Sequence, residues 1–135
     1  MRHSIKPIIA AIIALAMSAS ASAQDRRDTA FDVAIFDRIA IGEVEITPFG
    51  IIEDSRCLDY RLCFRRDRLV IAAVLHRFDG SIREIPLRLD ELTPVPGGAL
   101  LLVNGGTPPV RNGAIPLRKY NLDIVFVRFD EGQTR

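Results

Sequence analysis

The apolar residues of this chain fall into short runs separated by turn-forming sequences, and this spacing restricts the fold more than any other feature. Residues 69–75 form a continuous apolar run and residues 122–129 a mainly apolar stretch; both have the length of strands rather than of helices, and we expect both to be central strands. Asp79-Gly80 follows the first run and is typical of a β-hairpin. No stretch repeats its apolar residues every 3.6 positions. The sequence therefore predicts a single all-β domain over residues 31–129, an antiparallel β-sandwich or small barrel of about seven strands.

Proline positions refine this prediction. Residues 44–52 are predicted to form a strand interrupted at Pro48 and Gly50, as at a sheet edge or a bulge. Pro86 lacks the N–H that a central strand needs, so the strand after the hairpin is expected at an edge. The other segments are expected to be connections or ends: 24–30 as a mobile N-terminal segment, 53–63 and 93–98 as loops, and 130–135 as a tail.

The N-terminus has the pattern of an export signal. A basic start precedes an apolar run over residues 7–17, and the sequence ends at Ala23 in the small-x-small pattern that signal peptidase cleaves, here before Gln24. The apolar run is shorter than the roughly 20 residues of a membrane-spanning helix. We expect residues 1–23 to be removed and the product to lie in a bacterial periplasm or outside the cell, with no membrane-spanning segment. No cysteine adjoins the cut, so no lipid anchor is expected.

Charge and composition exclude two classes of protein. Without Arg2 and Lys6, the rest of the chain has 16 basic and 17 acidic side chains. A nucleic-acid binder needs a basic excess to neutralise phosphates, so no nucleic-acid partner is expected. The hydrophobic content of 48% excludes a disordered chain.

The two cysteines, Cys57 and Cys63, are expected to form a disulfide. An exported chain meets an oxidising compartment, and closing so small a loop contributes about 2–2.5 kcal/mol in the chain-entropy estimate. A redox pair would have the spacing Cys-x-x-Cys at a helix N-terminus, which this chain lacks. Two cysteines also exclude a multi-cysteine zinc site. We expect no metal and no cofactor.

The cysteine loop and its flanks combine dense charge with one aromatic side chain. Tyrosine and arginine are frequent at the energetic centres of interfaces, and the forked donors of arginine recognise anionic groups. The sequence therefore predicts a candidate recognition loop that contains Arg56, Tyr60, Arg61, Arg65 and Arg66. The alternative is a solvated loop whose own acidic residues neutralise the arginines, with the Tyr60 ring folded onto the end of the domain.

Catalysis finds little support in the sequence. His76 is the only histidine after residue 23, and its place at the end of an apolar strand favours a structural role. Ser55 and Ser81 are the only serines there, and no nucleophile elbow, phosphate-binding loop or zinc-protease motif is present. Glu53 beside Asp54 leaves a hydrolase with carboxylate catalysis as a remote third possibility. We expect no enzyme activity and assign no catalytic residues.

The stretch Asp54-Ser55-Arg56-Cys57, followed by Cys63, resembles a motif found in a group of small exported bacterial proteins. That group is built around Asp-Ser-Arg-Cys-Pro with a second cysteine a few residues later and then a strand. The clear similarity covers about residues 44–78, with Leu58 in the place of the proline. The resemblance implies a single β-rich domain with a local disulfide, and it implies no particular activity.

These features predict an exported, non-catalytic binding or envelope-associated module. Its partner would be an unknown protein or a component of the cell envelope. The second possibility is a small exported inhibitor that presents the Cys57–Cys63 loop to an enzyme.

Overall fold

The structure, a computed structural model, describes residues 27–57, 68–108 and 116–129. The predicted export signal with its cut between Ala23 and Gln24, and the predicted tail, lie outside these residues. The described strands are β1 (Thr29–Ala34), β2 (Ile39–Ile41), β3 (Val44–Asp54), β4 (Leu69–His76), β5 (Ile82–Arg88), β6 (Leu92–Val95), β7 (Gly98–Asn104) and β8 (Asn121–Arg128), with a 3₁₀ turn (Leu117–Lys119) before β8.

The strands form two four-stranded antiparallel sheets. The first sheet has the order β1-β8-β7-β6 and the second the order β2-β3-β4-β5. The prediction of an all-β, antiparallel fold is confirmed. The described residues contain eight strands rather than about seven, because most of the predicted loop 93–98 contributes to β6 and the turn after it. Pro94 is compatible with β6 because an edge strand has a row of backbone groups with no partner strand.

Both sheets turn one face towards a shared hydrophobic cluster. Alternate residues of the two longest apolar runs belong to it, among them Ile71 and Leu75 from β4 and Ile124 and Phe126 from β8. Burying each such side chain contributes about 1.5–3 kcal/mol. β4 lies between β3 and β5, and β8 lies between β1 and β7, so both runs form central strands as predicted.

The predicted β-hairpin joins β4 to β5. Gly80 has a φ of 81°, which glycine adopts without steric cost. The Asp79 carboxylate accepts hydrogen bonds from the backbone N–H and the hydroxyl of Ser81, at 2.8 and 2.6 Å. β5 lies at the edge of its sheet, as Pro86 predicts, and the Pro86 carbonyl accepts a hydrogen bond from the Thr93 hydroxyl at 2.9 Å.

β3 is longer than predicted, and its interruption is the predicted bulge rather than the predicted sheet edge. It is one strand of 11 residues that lies between β2 and β4, not at an edge. Its register with β4 shifts between Pro48 and Gly50 and again between Ile51 and Glu53, so the interruption is a bulge within a continuous strand. Asp54 and Glu53, predicted to start a loop, end the strand instead because they still pair with β4.

The N-terminal strand also begins earlier than predicted. β1 starts at Thr29, inside the segment expected to be mobile. The carbonyls of Arg27 and Asp28 accept hydrogen bonds from the backbone N–H groups of Gly42 and Phe126, both at 2.7 Å. Asp28 also pairs with Arg128 at 2.8 Å. These contacts fix the residues from 27 onward against both sheets.

Candidate functional site

A buried ion pair lies where β3 ends and the loop to β4 begins. Arg56 donates from Nε to Asp54 Oδ1 and from Nη2 to Asp54 Oδ2, both at 2.9 Å. The side chains of Arg56 and Asp54 are only 6% and 7% exposed. Two parallel bonds between a guanidinium and a carboxylate are stronger and more directional than a single neutral hydrogen bond. The pair therefore fixes the first residues of the loop to the end of the strand.

Two distant segments complete this arrangement. Arg56 Nη1 donates to the Gly106 carbonyl at 2.8 Å, and the Tyr120 hydroxyl donates to Asp54 Oδ2 at 2.8 Å. The guanidinium carbon lies 5.9 Å from the centre of the Tyr120 ring. A methyl group at Gly105 would overlap Leu69 and crowd Arg56, so this close approach requires glycine. We call Asp54, Arg56, Gly106 and Tyr120 the loop base.

The contacts of the loop base shift the pKa values of two of its own side chains. Burial raises the pKa of Asp54, but hydrogen bonds from Arg56 and Tyr120 and the charge of Arg56 outweigh burial and lower that pKa below its ordinary 3.8. Burial, followed by the hydrogen bond to the Asp54 carboxylate and its charge, raises the pKa of Tyr120 to about 12. At neutral pH the ion pair is therefore charged and the phenol keeps its proton.

The second end of the loop is held beside the first. The Ser55 backbone N–H donates to the Arg68 carbonyl at 2.8 Å, and Asp54 is paired with Leu69 in the register of β3 and β4. Glu53 belongs to the opposite side of the strand, where its half-exposed side chain lies 3.8 Å from Arg68. The carboxylates of Glu53 and Asp54 thus have separate partners and are not brought together as an acid/base pair.

The structure describes only the first residues of the predicted recognition loop, up to Cys57. Arg56 is 8% exposed and donates its hydrogen bonds to Asp54 and Gly106 inside the domain. The expectation that Arg56 is an accessible recognition residue is therefore wrong. Cys57 ends the first described range. The remaining loop residues, namely Tyr60, Arg61, Cys63, Arg65 and Arg66, lie outside the described residues. The Cys57–Cys63 disulfide and the accessible part of the loop therefore stay predictions.

Sequence reasoning identified neither Gly106 nor Tyr120, and of these two only Tyr120 contributes a side chain to the loop base. Tyr120 precedes an apolar strand, and its only local signal is an aromatic ring with a polar tip at the strand start. Its partner Asp54 lies 66 positions away in the chain. No local pattern specifies such a pairing, because the contact exists only once both sheets are in place.

A cavity of about 270 Å³ lies at the opposite end of β4, beside the turn between β2 and β3. Its charged side chains include Arg38, which pairs with Glu45 at 2.6 Å, and Glu43, which pairs with Arg128 at 3.3 Å. The half-buried His76 shares a hydrogen bond of 2.9 Å with the Thr47 hydroxyl. At this end of the domain the charged side chains form ion pairs at the surface. The loop base differs because its ion pair is buried.

No family model, no curated protein and no solved structure matches this chain. Within residues 27–57, 68–108 and 116–129, no group of three or more histidine, cysteine, aspartate or glutamate side chains could hold a metal ion. The same part of the chain contains no helix long and apolar enough to cross a membrane.

Proposed function

We propose that this chain is an exported, non-catalytic binding module that presents the loop between β3 and β4 to a protein or envelope component. The proposal rests on one observation, the buried Asp54–Arg56 ion pair of the loop base. Export is supported by the signal-like pattern that ends at Ala23. The proposal includes a sandwich arrangement of the two sheets, which their shared hydrophobic cluster supports.

The loop base suits a role in positioning. Compared with well-packed apolar residues, a buried ion pair adds little net stability, because removing two charges from water costs several kcal/mol per ion. The directional hydrogen bonds of the pair do fix the positions of Asp54 and Arg56 relative to each other. The loop base joins the start of the loop to Gly106 and Tyr120, and the Ser55–Arg68 hydrogen bond holds the other end. A loop anchored at both ends has less conformational freedom to lose when it binds a partner.

The sequence between the two anchors supplies side chains suited to recognition. Residues 58–67 contain Tyr60 and Arg61, with Arg65 and Arg66 nearer to β4. We propose that Cys57 and Cys63 are bonded to each other, which would restrict the loop further. In the stretch that resembles a motif of small exported bacterial proteins, we propose that Asp54 and Arg56 serve as the anchor of the loop.

Capture of a partner tests the proposal. Immobilised protein, obtained by expressing the full chain, is incubated with periplasmic extract and retained proteins are identified by mass spectrometry. Tyr60→Ala and Arg61→Ala are expected to weaken capture at least about tenfold, equivalent to 1.4 kcal/mol. Both should leave the free energy of unfolding within about 0.5 kcal/mol of the wild type, as for surface changes. If the captured partner is an enzyme that loses activity, the inhibitor function is favoured.

Matched controls lie at the other end of β4. Phe78 is 94% exposed and Arg77 precedes it, so Phe78→Ala and Arg77→Ala remove the same two kinds of side chain away from the loop. These controls should capture as well as the wild type. The proposal is wrong if the loop variants retain full capture, or if the controls lose as much. It is also wrong if Tyr60→Ala costs about 1–3 kcal/mol of stability while the folded fraction still captures normally.

A further inference from the structure

The two sheets are joined along one side of the domain and separated along the other. On the joined side, the Thr93 hydroxyl of β6 donates to the Pro86 carbonyl of β5 at 2.9 Å. The Asp90 N–H that follows β5 donates to the Leu102 carbonyl of β7, also at 2.9 Å. On the other side, β1 pairs with β8 and β2 pairs with β3, so the described parts of β1 and β2 share no ladder. A cavity of about 710 Å³ lies between these two edge strands, and we call it the edge slot.

Backbone hydrogen bonds fix both ends of the edge slot. At one end, the Gly42 N–H donates to the Arg27 carbonyl at 2.7 Å. At the other end, the turn from β1 to β2 is tied to β3, because the Phe36 N–H donates to the Pro48 carbonyl at 2.7 Å. The edge slot is therefore formed by the fold itself, and a ligand does not have to order its walls.

The floor of the edge slot is apolar. Val33 belongs to the hydrophobic cluster of the core, and Ala30 and Ile39 pack against that cluster. Phe31 also lines the slot, and its ring is 67% exposed. Cavities of roughly 300–1,000 Å³ with apolar walls and a few polar groups are typical of small-molecule sites. The edge slot thus has the size and the lining of a site for a narrow apolar ligand.

The charged residues of the edge slot are separated along its length. Arg27 lies at the end next to Gly42, whereas Asp32 and Asp37 lie towards the turn between β1 and β2. Among the described residues, the arginines that form ion pairs are Arg38, Arg56, Arg68 and Arg128. Arg27 is not one of them and is exposed, so its forked donors can bind an anionic group.

A peptide strand is a poor occupant for this site. An extended peptide would add to the edge of β1 through a regular row of main-chain hydrogen bonds. β1 has a bulge between Ala30 and Val33, where Asp32 has a φ of 54° and donates its N–H to Asp123 Oδ1 at 3.0 Å. Bulges at sheet edges hinder the addition of a further strand. The occupant should therefore contact side chains rather than extend the sheet.

We propose that the edge slot binds one fatty acid, with its carboxylate at Arg27 and its chain between β1 and β2. Ala30, Ile39 and the Phe31 ring contact the chain. The opposite orientation would bring the carboxylate towards Asp32 and Asp37, so the charges of the slot select one direction. From Arg27 to Val33 the slot extends about 20 Å at about 3.4 Å per residue, which accommodates an extended chain. The proposal does not depend on the function of the β3–β4 loop.

Titration with octanoate, followed by the backbone amide shifts in NMR spectra, tests the proposal. Protein recovered after expression of the full chain should bind octanoate with a Kd below about 1 mM. The largest shifts should fall in β1, in β2 and at Gly42. Hexanoate should bind more weakly, by about twofold to fourfold for each methylene removed, because less apolar surface is buried.

Two variants separate the contributions of charge and chain. Arg27→Gln should weaken octanoate binding by up to about fivefold, as for an exposed ion pair, and leave the binding of uncharged 1-octanol unchanged. Phe31→Ala should weaken the binding of both ligands. Arg83→Gln and Phe78→Ala are the matched controls, because both residues are exposed and lie outside the edge slot. These controls should leave both affinities unchanged, and circular dichroism melts confirm that every variant is folded.

Sedimentation with phosphatidylglycerol vesicles identifies the source of the chain. Protein that binds octanoate but does not co-sediment takes up free fatty acid. Protein that binds octanoate and co-sediments, with co-sedimentation lost in Phe31→Ala, takes its chain from a bilayer. Both results support the proposal, whereas co-sedimentation without octanoate binding contradicts it.

Three further results would overturn the proposal. The first is the absence of amide shifts up to about 5 mM octanoate, well above the expected Kd. The second is a set of shifts centred on residues 75–79, or an equal loss of affinity in Phe78→Ala, which would place the ligand at the other end of the domain. The third is a wild-type dimer that Phe31→Ala dissociates and octanoate leaves intact, since a second copy would then occupy the edge slot.

Discussion

Replacing Arg56 by methionine tests the loop base most directly. We expect Arg56→Met to lower the free energy of unfolding by about 3–5 kcal/mol, because the Asp54 carboxylate would remain buried without its cation. The carboxylate loses two hydrogen bonds of 2.9 Å, and the Gly106 carbonyl loses a donor at 2.8 Å. Methionine keeps a long unbranched side chain, so the loss comes from charge and hydrogen bonding more than from packing.

Arg38→Met is the matched control. Arg38 lies 2.6 Å from Glu45, closer than Arg56 lies to Asp54, but these two side chains are 60% and 37% exposed. Exposed ion pairs contribute about 0–1 kcal/mol, because water solvates each charge when the other is removed. Burial rather than distance should therefore decide the size of the effect, and Arg38→Met should cost less than about 1 kcal/mol.

Urea denaturation followed by circular dichroism measures both variants across pH. In the wild type, the lowered pKa of Asp54 contributes stability that is present above pH 3.8 and is lost as the pH falls below that value. Without Arg56 the carboxylate takes up a proton more readily, so the deficit of Arg56→Met should shrink as the pH falls through about 4. A deficit no larger than that of Arg38→Met near pH 7, or one that does not change with pH, would refute this account.

Two further predictions follow from the same structure. The pKa of Tyr120, raised to about 12 from 10.0, stabilises the fold fully below pH 10 and loses that contribution, about 2–3 kcal/mol, as the pH rises through 12. The stability difference between wild type and Tyr120→Phe should therefore diminish over that range in urea titrations, and a constant difference would contradict the prediction. Phe36 has a φ of 79° and is 64% exposed, so Phe36→Gly should raise stability by about 0.5–1 kcal/mol in thermal melts. A lower stability would show that the ring packs usefully where it is.

The strands and their hairpin could be predicted because their causes are local. The run over residues 69–75 forms a central strand because its residues are apolar on both faces, and Asp79-Gly80 supplies the turn that returns the chain. Pro86 identified an edge because a missing N–H is a property of the residue itself. At Pro48 the predicted bulge is confirmed, although the strand is not at a sheet edge, and the error occurred at Pro94, where the proline was placed in a loop. A bulge and an edge position accommodated these two residues within strands.

The site was predictable only as a region. The sequence predicted a functional loop in the charged stretch that begins near Asp54. The loop base lies at the start of that stretch. The sequence placed Arg56 in an accessible loop, because residues 53–68 contain five arginines and four acidic residues, a density typical of a solvated loop or a recognition loop. The structure buries Arg56 instead, since the partners that make burial tolerable, Gly106 and Tyr120, come from elsewhere in the chain.

By itself, the sequence determined that this chain forms short antiparallel strands and where most of them turn. Strands and turns depend on residue type and on the alternation of apolar and polar residues over a few positions, and both can be read directly from the sequence. Only the tertiary structure decided which apolar faces meet in the core, and that Asp54, Arg56 and Tyr120 share one buried network. These outcomes depend on groups 50 or more positions apart coming within hydrogen-bond distance, and that proximity arises only when the two sheets assemble.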